Sequence, residues 1–446
     1  MDAATAYPRA TITIDEAIDQ IGIGRFQYRL LFICGLGWAA DAMEVIIIAF
    51  VIPQVIAEWG ITSAQAGVLG TAIFVGMLLG AWFWGTIADR VGRKLGFQLT
   101  VLVDSVFGFL SALAPSFPWL VGLRAITGFG VGGTLPVDYA IFSEYLPREQ
   151  RGRWLVLLES FWAVGTIVAA GLAWLLIPRL GWRWLLAVSA VPGLIIFLIR
   201  RHIPESPRYL ALDGREDEAH AVLEQVARVN GVAVDLPRLH AVPRSTRQTT
   251  RALWSPAFAR QTAMLWVAWF TISLGYYGTL IWLPNIFVQR GFDFLRTYQN
   301  TFILALAQLP GYFSAAYLVE KWGRKWTLAS YLAMSGVFTL LFAVVNGLTW
   351  IVAAASLMSF FTLGAWGVLY AYTPELYPTE FRATGMGAAS GMTRIAGAIA
   401  PTLGGLLLPV SLVAALALYA AAFLVGGLTV LVLGRETMGE SLAETA

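Results

Sequence analysis

The chain is 446 residues long, 58% hydrophobic and only 13% charged, with a mean hydropathy of +0.69 and a formal net charge of +3. So much apolar surface cannot be hidden inside a soluble globule of this length, so lipid is the solvent for most of it. The sequence also offers no phosphate-binding loop, metal-ligand cluster or nucleophile with a placed base, which argues against an enzyme.

Asp2, Asp15, Glu16 and Asp19 precede any long apolar run. That is unlike a cleavable signal peptide, and the first span is expected to stay in the mature protein. Runs of about 20 residues, long enough to cross a hydrocarbon layer of roughly 30 Å, follow. They fall near 28–52, 66–87, 95–114, 118–142, 153–177 and 183–200. Residues 201–257 then interrupt the hydropathy with Arg215, Glu216, Asp217 and Glu218. A broken apolar periodicity through Val222, Leu223, Val226 and Val229 predicts short amphipathic helices there. Six more spans are read near 260–286, 300–319, 327–345, 350–373, 383–406 and 409–433. The expected organisation is a six-helix half over 1–200, a cytoplasmic linker over 201–257 and a second half over 258–446.

Twelve spans place both termini on one side of the membrane. Of the 30 Lys and Arg, 24 fall in the termini and in the loops after even-numbered spans. Arg179, Arg183, Arg290 and Arg296 lie on the opposite face, and Arg124 and Arg394 lie within spans. Both termini are therefore expected to be cytoplasmic, in the plasma membrane or bacterial inner membrane. The positive net charge reflects this loop asymmetry and is no argument for nucleic-acid binding. The single cysteine, Cys34, excludes an intramolecular disulfide and makes a thiol metal site implausible.

The two halves also repeat each other at one offset. Gly92-Arg93-Lys94 recurs as Gly323-Arg324-Lys325 (323−92 = 231). Glu144, Pro147, Glu149 and Arg151 recur as Glu375, Pro378, Glu380 and Arg382 (375−144 = 231), and Pro53 as Pro284. Duplication on this scale in a membrane chain marks a transporter whose halves rock about a shared midplane site.

These residues resemble the major facilitator superfamily over essentially the whole chain. The run Gly85-Thr-Ile-Ala-Asp89-Arg90-Val-Gly92-Arg93-Lys94 looks like the family's loop motif after span 2. Val319-Glu320-Lys321-Trp322-Gly323-Arg324-Lys325 looks like its degenerate copy. The resemblance implies an all-α fold of twelve transmembrane helices in two pseudo-symmetric halves. It also implies a cytoplasmic gate of Asp89, Arg90, Arg93, Glu144, Arg151, Glu320, Arg324, Glu375 and Arg382, which steadies the outward-open state. The plainer alternative is loop structure and topology signal.

Pro204-Glu205-Ser206-Pro207-Arg208-Tyr209-Leu210 and Pro374-Glu375-Leu376-Tyr377-Pro378 are similar to motifs of sugar porters and their relatives. Asp41-Ala-Met-Glu44, Ser160-Phe-Trp162, Leu274-Gly-Tyr276-Tyr277-Gly278 and Ala365-Trp366 narrow the branch further. That set looks like the synaptic vesicle glycoprotein 2 group and its bacterial relatives, the niacin-type porters.

Arg394 lies 12 residues beyond Arg382, about 18 Å into the membrane at 1.5 Å per residue. A guanidinium there needs a water-filled cavity or a counter-ion. Its context, Thr393-Arg394-Ile395-Ala396-Gly397, resembles the span 11 arginine of organic anion transporters, which implies a bound substrate carboxylate. Permanent pairing with an interior acid is the alternative. Asp41 in span 1, with Glu44 one turn later, lies near the depth of Arg124 in span 4. In the family, an acid of span 1 commonly pairs with an arginine of span 4, so Asp41 and Arg124 resemble a proton-coupling pair, with Glu44 beside Asp41 on a similar face; a static salt bridge is the alternative. Asp104, Asp138 and Glu159 are further acids within spans.

Trp162 and Trp366 each sit about 14 Å from the cytoplasmic end of their spans, deep enough to clamp a flat ring between them. In the vesicle glycoproteins matching tryptophans line the central pocket, and Asp41, Tyr276 and Tyr277 match pocket positions. Tyr370 stands where that group has an acid, which disfavours a cationic ligand. Asn300 and Gln308 of span 8 are candidate hydrogen-bonding groups. The stretch from Trp266 to Leu283 has neither the Gln-Gln pair nor the Asn expected of a sugar site.

The reading that unites these features is an alternating-access importer of a small aromatic monocarboxylate, nicotinate first, driven by protons. It would act as a monomer in the lipid bilayer, without cofactor, metal or nucleic acid. A drug or metabolite exporter, a sugar porter of the same fold and a non-transporting membrane receptor are the rivals.

Overall fold

A backbone in lipid can satisfy its own hydrogen bonds only within a helix or a closed barrel, and here the long apolar runs fold as helices. The computed structural model describes residues 11–148, 150–193, 203–233, 236–239 and 250–438. A short amphipathic helix, α1 (Ile14–Ile21), precedes the bundle, fixed by a capping box in which Thr13 and Glu16 bond each other's backbone N–H. The Thr13 backbone and side-chain donors hold the Glu16 carboxyl below its ordinary pKa.

The first half follows as α2 (Arg25–Trp59), α3 (Ser63–Val91), α4 (Arg93–Ser111), α5 (Phe117–Ser143), α6 (Arg151–Glu159), α7 (Phe161–Leu180) and α8 (Trp182–Ser189). The end of the sixth expected span, 194–200, lies outside the described residues. Linker helices α9 (Pro207–Leu212) and α10 (Glu216–Asn230) match the amphipathic expectation for 201–257. Strands β1 (Thr11–Ile12) and β2 (Arg238–Leu239) pair in parallel beside them. The second half holds α11 (Ala259–Leu280), α12 (Leu283–Gln289), α13 (Phe294–Trp322), α14 (Arg324–Val344), α15 (Leu348–Glu375), α16 (Thr379–Leu407) and α17 (Leu412–Leu433). Among the described residues, eight helices are long and apolar enough to cross a membrane, or nine if α11 and α12 count as one span bent by 42°. The bend falls at Ile281 and Trp282, just before Pro284, which has no N–H to continue the ladder back to Leu280. α5 and α16, 27 and 29 residues long, are richer in Gly and Thr.

Small residues let these helices approach closely. A Cβ on Gly76 or Gly80 of α3 would run into the backbone of Ala125 or Phe129 on α5. Gly128 and Gly132 of α5 meet Ile73 and Met77 of α3 in the same way. The two halves touch at several levels, among them the ends of their long helices. Thr71 donates to the Ala398 carbonyl (2.6 Å), and Gln54 donates to the Tyr298 hydroxyl (3.2 Å).

The internal repeat extends beyond the residues that revealed it. Gly92 and Gly323 both adopt positive φ, 99° and 87°, at the same turn. In the first half Glu205 accepts from the Lys94 backbone N–H at 3.1 Å. In the second, Glu436 accepts from Arg324 N–H at 2.8 Å and Lys325 N–H at 3.1 Å. Glu205 and Glu436 are themselves 231 apart (436−205).

Candidate functional site

Six of the side chains that the sequence singled out at mid-span converge on one central cavity. Trp162 of α7, Tyr276 and Tyr277 of α11, Trp366 and Tyr370 of α15 and Arg394 of α16 all line it. Arg394 sits at the middle of its helix, and Tyr276 and Tyr277 lie just before the bend between α11 and α12. Trp162 donates its indole N–H to the Tyr276 hydroxyl at 3.2 Å, and the Tyr276 ring lies edge-on to Trp366 at 6.1 Å between centroids. The two indoles are therefore linked through Tyr276, one from each half of the molecule.

Arg394 is buried and makes one long bond, from Nη1 to the Ser390 carbonyl at 3.4 Å, while Nε has no partner. Among the described residues no carboxylate forms an ion pair with it. A guanidinium held in this way offers its fork to an anion in the cavity.

The span 1 to span 4 pair is made by a different acid from the one expected. Arg124 bonds the Glu44 carboxylate at 2.6 Å and the Glu44 carbonyl as well, with both side chains excluded from solvent. Asp41 sits three residues earlier, about 4.5 Å further along α2, and Glu44 stands level with Arg124. Ser189 of α8 donates to the same carboxylate at 2.8 Å, and Asp104 of α4 lies within electrostatic reach. Asp41 is buried but does not line the cavity.

Asn300 and Gln308 also fall outside the cavity. Gln308 donates to Ser359 at 3.2 Å and borders a second, smaller space with Phe50, Thr166 and Leu280. One helical turn onward, Tyr312 takes the place in the main cavity, and Asn300 lies 12 residues further toward the far end of α13. The sequence reading did not single out Tyr312, Trp38, Ser390 or Thr393 as lining residues. A helical-face argument could have found them, since Trp38 is one turn before Asp41 and Ser390 one turn before Arg394.

Glu159 is the one acid on the cavity wall among the described residues. It ends α6, which Ser160, itself in helical conformation, joins to α7 in one continuous span of Arg153–Leu180, with Ser160 Oγ bonding back to the Leu157 carbonyl at 2.7 Å.

Among the expected gate residues, Arg324 reaches Glu375 at 3.0 Å and Glu320 at 3.6 Å. Arg151 reaches Asp15 of α1 at 3.3 Å. The Arg90 carbonyl accepts from the Tyr209 hydroxyl at 3.1 Å. Glu144 has an interaction of its own just after α5. The side chains of Asp89, Arg93 and Arg382, with Glu149 and Glu380 of the repeat, lie outside the described residues.

Two six-helix halves closing on a central aromatic cavity that holds one unpaired guanidinium define a membrane transporter of the rocking, two-repeat kind. The chain belongs to the sugar (and other) transporter family of the major facilitator superfamily, whose family model matches residues 29–446. It is 43% identical over 385 residues to the niacin transporter NiaP of Acinetobacter baylyi, covering 86% of this chain and 88% of that one. It is 34% identical over 457 residues to the synaptic vesicle 2-related protein of Bos taurus, covering 98% and 83%. Among solved structures, the xylose transporter XylE from E. coli in a partially occluded inward-open conformation superposes with a TM-score of 0.73. That match covers 94% of this chain and 100% of that one at 16% identity, a likeness of fold alone.

Proposed function

We propose that the protein imports a small aromatic monocarboxylate, nicotinate first, by alternating access driven by protons. The observation that carries this is Arg394, a buried cation without a counter-ion on the wall of a cavity built from indole and phenol rings. Arg394 holds the carboxylate, and Trp162, Trp366, Tyr276, Tyr277 and Tyr370 grip the ring by edge and face contacts. The 43% identity to a niacin transporter supports the choice of nicotinate.

An anion entering a negative interior needs a co-transported charge, and Asp41 with the Glu44–Arg124 pair supplies a proton-sensitive set within the first half. The distribution of Lys and Arg supports cytoplasmic termini in the plasma membrane, or the inner membrane of a bacterium. On this reading residues 1–200 and 258–446 rock as units joined by 201–257. The gate of Asp89, Arg90, Arg93, Glu144, Arg151, Glu320, Arg324, Glu375 and Arg382 steadies their cytoplasmic ends, and the protein works as a monomer.

A thermal-shift screen of the purified protein against aromatic acids, sugars and organic cations tests the substrate class, because a ligand that binds the folded state stabilises it according to its occupancy. Stabilisation by nicotinate and related acids, with none from sugars or cations, is the expected result. Stabilisation by sugars alone would remove the proposal.

A further inference from the structure

Glu159 and Arg394 face the same cavity and do not meet. Both are buried, at 3% and 6% relative exposure, and no ion pair or hydrogen bond joins them. Glu159 Oε1 has no hydrogen-bond partner among the described residues. The groups around it come from five helices: Trp38 of α2, Tyr277 of α11, Tyr312 of α13, Tyr370 of α15 and Arg394 of α16. Trp38 and Tyr370 stand beside the carboxylate without a hydrogen bond to it among the described residues, and Tyr276 lies on the same wall. Trp38 also packs against Tyr139 of α5, with ring centroids 5.9 Å apart. Asp41, one turn beyond Trp38, is not on the cavity wall. Arg394 is therefore the one cation available to this cavity among its lining residues.

An ionised Glu159 and Arg394, facing one cavity without touching, would leave it with no net charge when it is empty. A substrate carboxylate that binds Arg394 adds a second negative charge to a site of low polarity, where no further cation can answer it. We propose that Glu159 is the residue that registers the substrate: it takes up one proton when a carboxylate anion occupies Arg394 and loses it when the anion leaves. The proton comes from the aqueous side to which the cavity is open and ends on a Glu159 carboxyl oxygen. Arg394, the bound anion and the neutral acid together then carry the same net charge as Arg394 and ionised Glu159 did in the empty cavity. The acids of α2 lie off the cavity wall and respond to the arrangement of the helices, whereas Glu159 responds to occupancy, the property that ties a proton to each substrate molecule. This inference rests on the carboxylate reading given above.

The experiment uses the full-length purified protein in weakly buffered detergent solution near neutral pH, with nicotinate as the ligand and a pH-indicator dye as the readout. Nicotinate binding is followed in parallel by thermal shift. The wild type should take up about one proton per nicotinate bound. Glu159→Gln, nearly the same shape and uncharged, should still bind nicotinate with no uptake and with an affinity that no longer depends on pH. Glu159→Asp should keep the uptake. Binding by the wild type without proton uptake would overturn the inference, as would undiminished uptake in Glu159→Gln. If Glu159→Gln is not monodisperse, the wild-type stoichiometry and the Glu159→Asp variant decide. Failure of any aromatic acid to stabilise the wild type would instead remove the substrate reading, and this inference with it.

Discussion

Trp162 of the first half donates its indole N–H to the Tyr276 hydroxyl of the second, 3.2 Å away. The same Tyr276 ring packs edge-on against Trp366. One phenol thus sets the spacing of two indoles across the interface that must open and close during transport.

If the two indoles clamp a ring, alanine at Trp162 or Trp366 should weaken nicotinate binding by about 1–3 kcal/mol, and phenylalanine should keep part of the contact. Binding titrations on the purified variants measure this. Unchanged affinity in both alanine variants would assign the tryptophans to packing. Tyr276→Phe removes only the bond that spaces them, and should cost about 0.5–1.5 kcal/mol.

The Glu44–Arg124 pair is fully buried, so leaving one partner alone should be costly. Arg124→Gln is expected to destabilise the first half by about 3–5 kcal/mol, and Glu44→Gln on the same background should restore part of it. Thermal unfolding of the single and double variants gives the comparison. Equal stability of Arg124→Gln and the wild type would mean that the pair contributes no net stability.

Proton coupling is tested through Asp41. Asp41→Asn fixes the neutral form and should abolish uphill uptake driven by an inward proton gradient, while exchange between equal substrate pools survives. Proteoliposomes with an imposed pH gradient separate the two modes. Undiminished gradient-driven accumulation by Asp41→Asn would move the coupling to other acids.

The fold was legible because its signals are local. Apolar runs of spanning length and the 231-residue repeat need no tertiary information, and they locate most of the long helices closely, although α2 runs on from 52 to Trp59 and α13 begins at Phe294 rather than 300. Depth along a helix was also readable, which is why Trp162, Trp366 and Arg394 were placed at the level of the cavity. Which turn of a helix face meets a given partner was not. Gln308 and Tyr312 are one turn apart on α13, yet only Tyr312 reaches the cavity wall. Asp41 and Glu44 differ by three residues, and the choice of partner for Arg124 turned on about 4.5 Å of rise. The surroundings of Glu159 come from helices distant from it in sequence, which no local pattern shows.

The central claim is that Arg394 binds the carboxylate of a transported aromatic acid. Uptake of radiolabelled nicotinate into proteoliposomes, measured for the wild type and for Arg394→Ala and Arg394→Lys, tests it most directly. The wild type should accumulate nicotinate under an inward proton gradient. Arg394→Ala should be inactive though folded, and Arg394→Lys poor, because a point charge does not reproduce the guanidinium fork. Nicotinate uptake by Arg394→Ala within a few-fold of the wild type would contradict it.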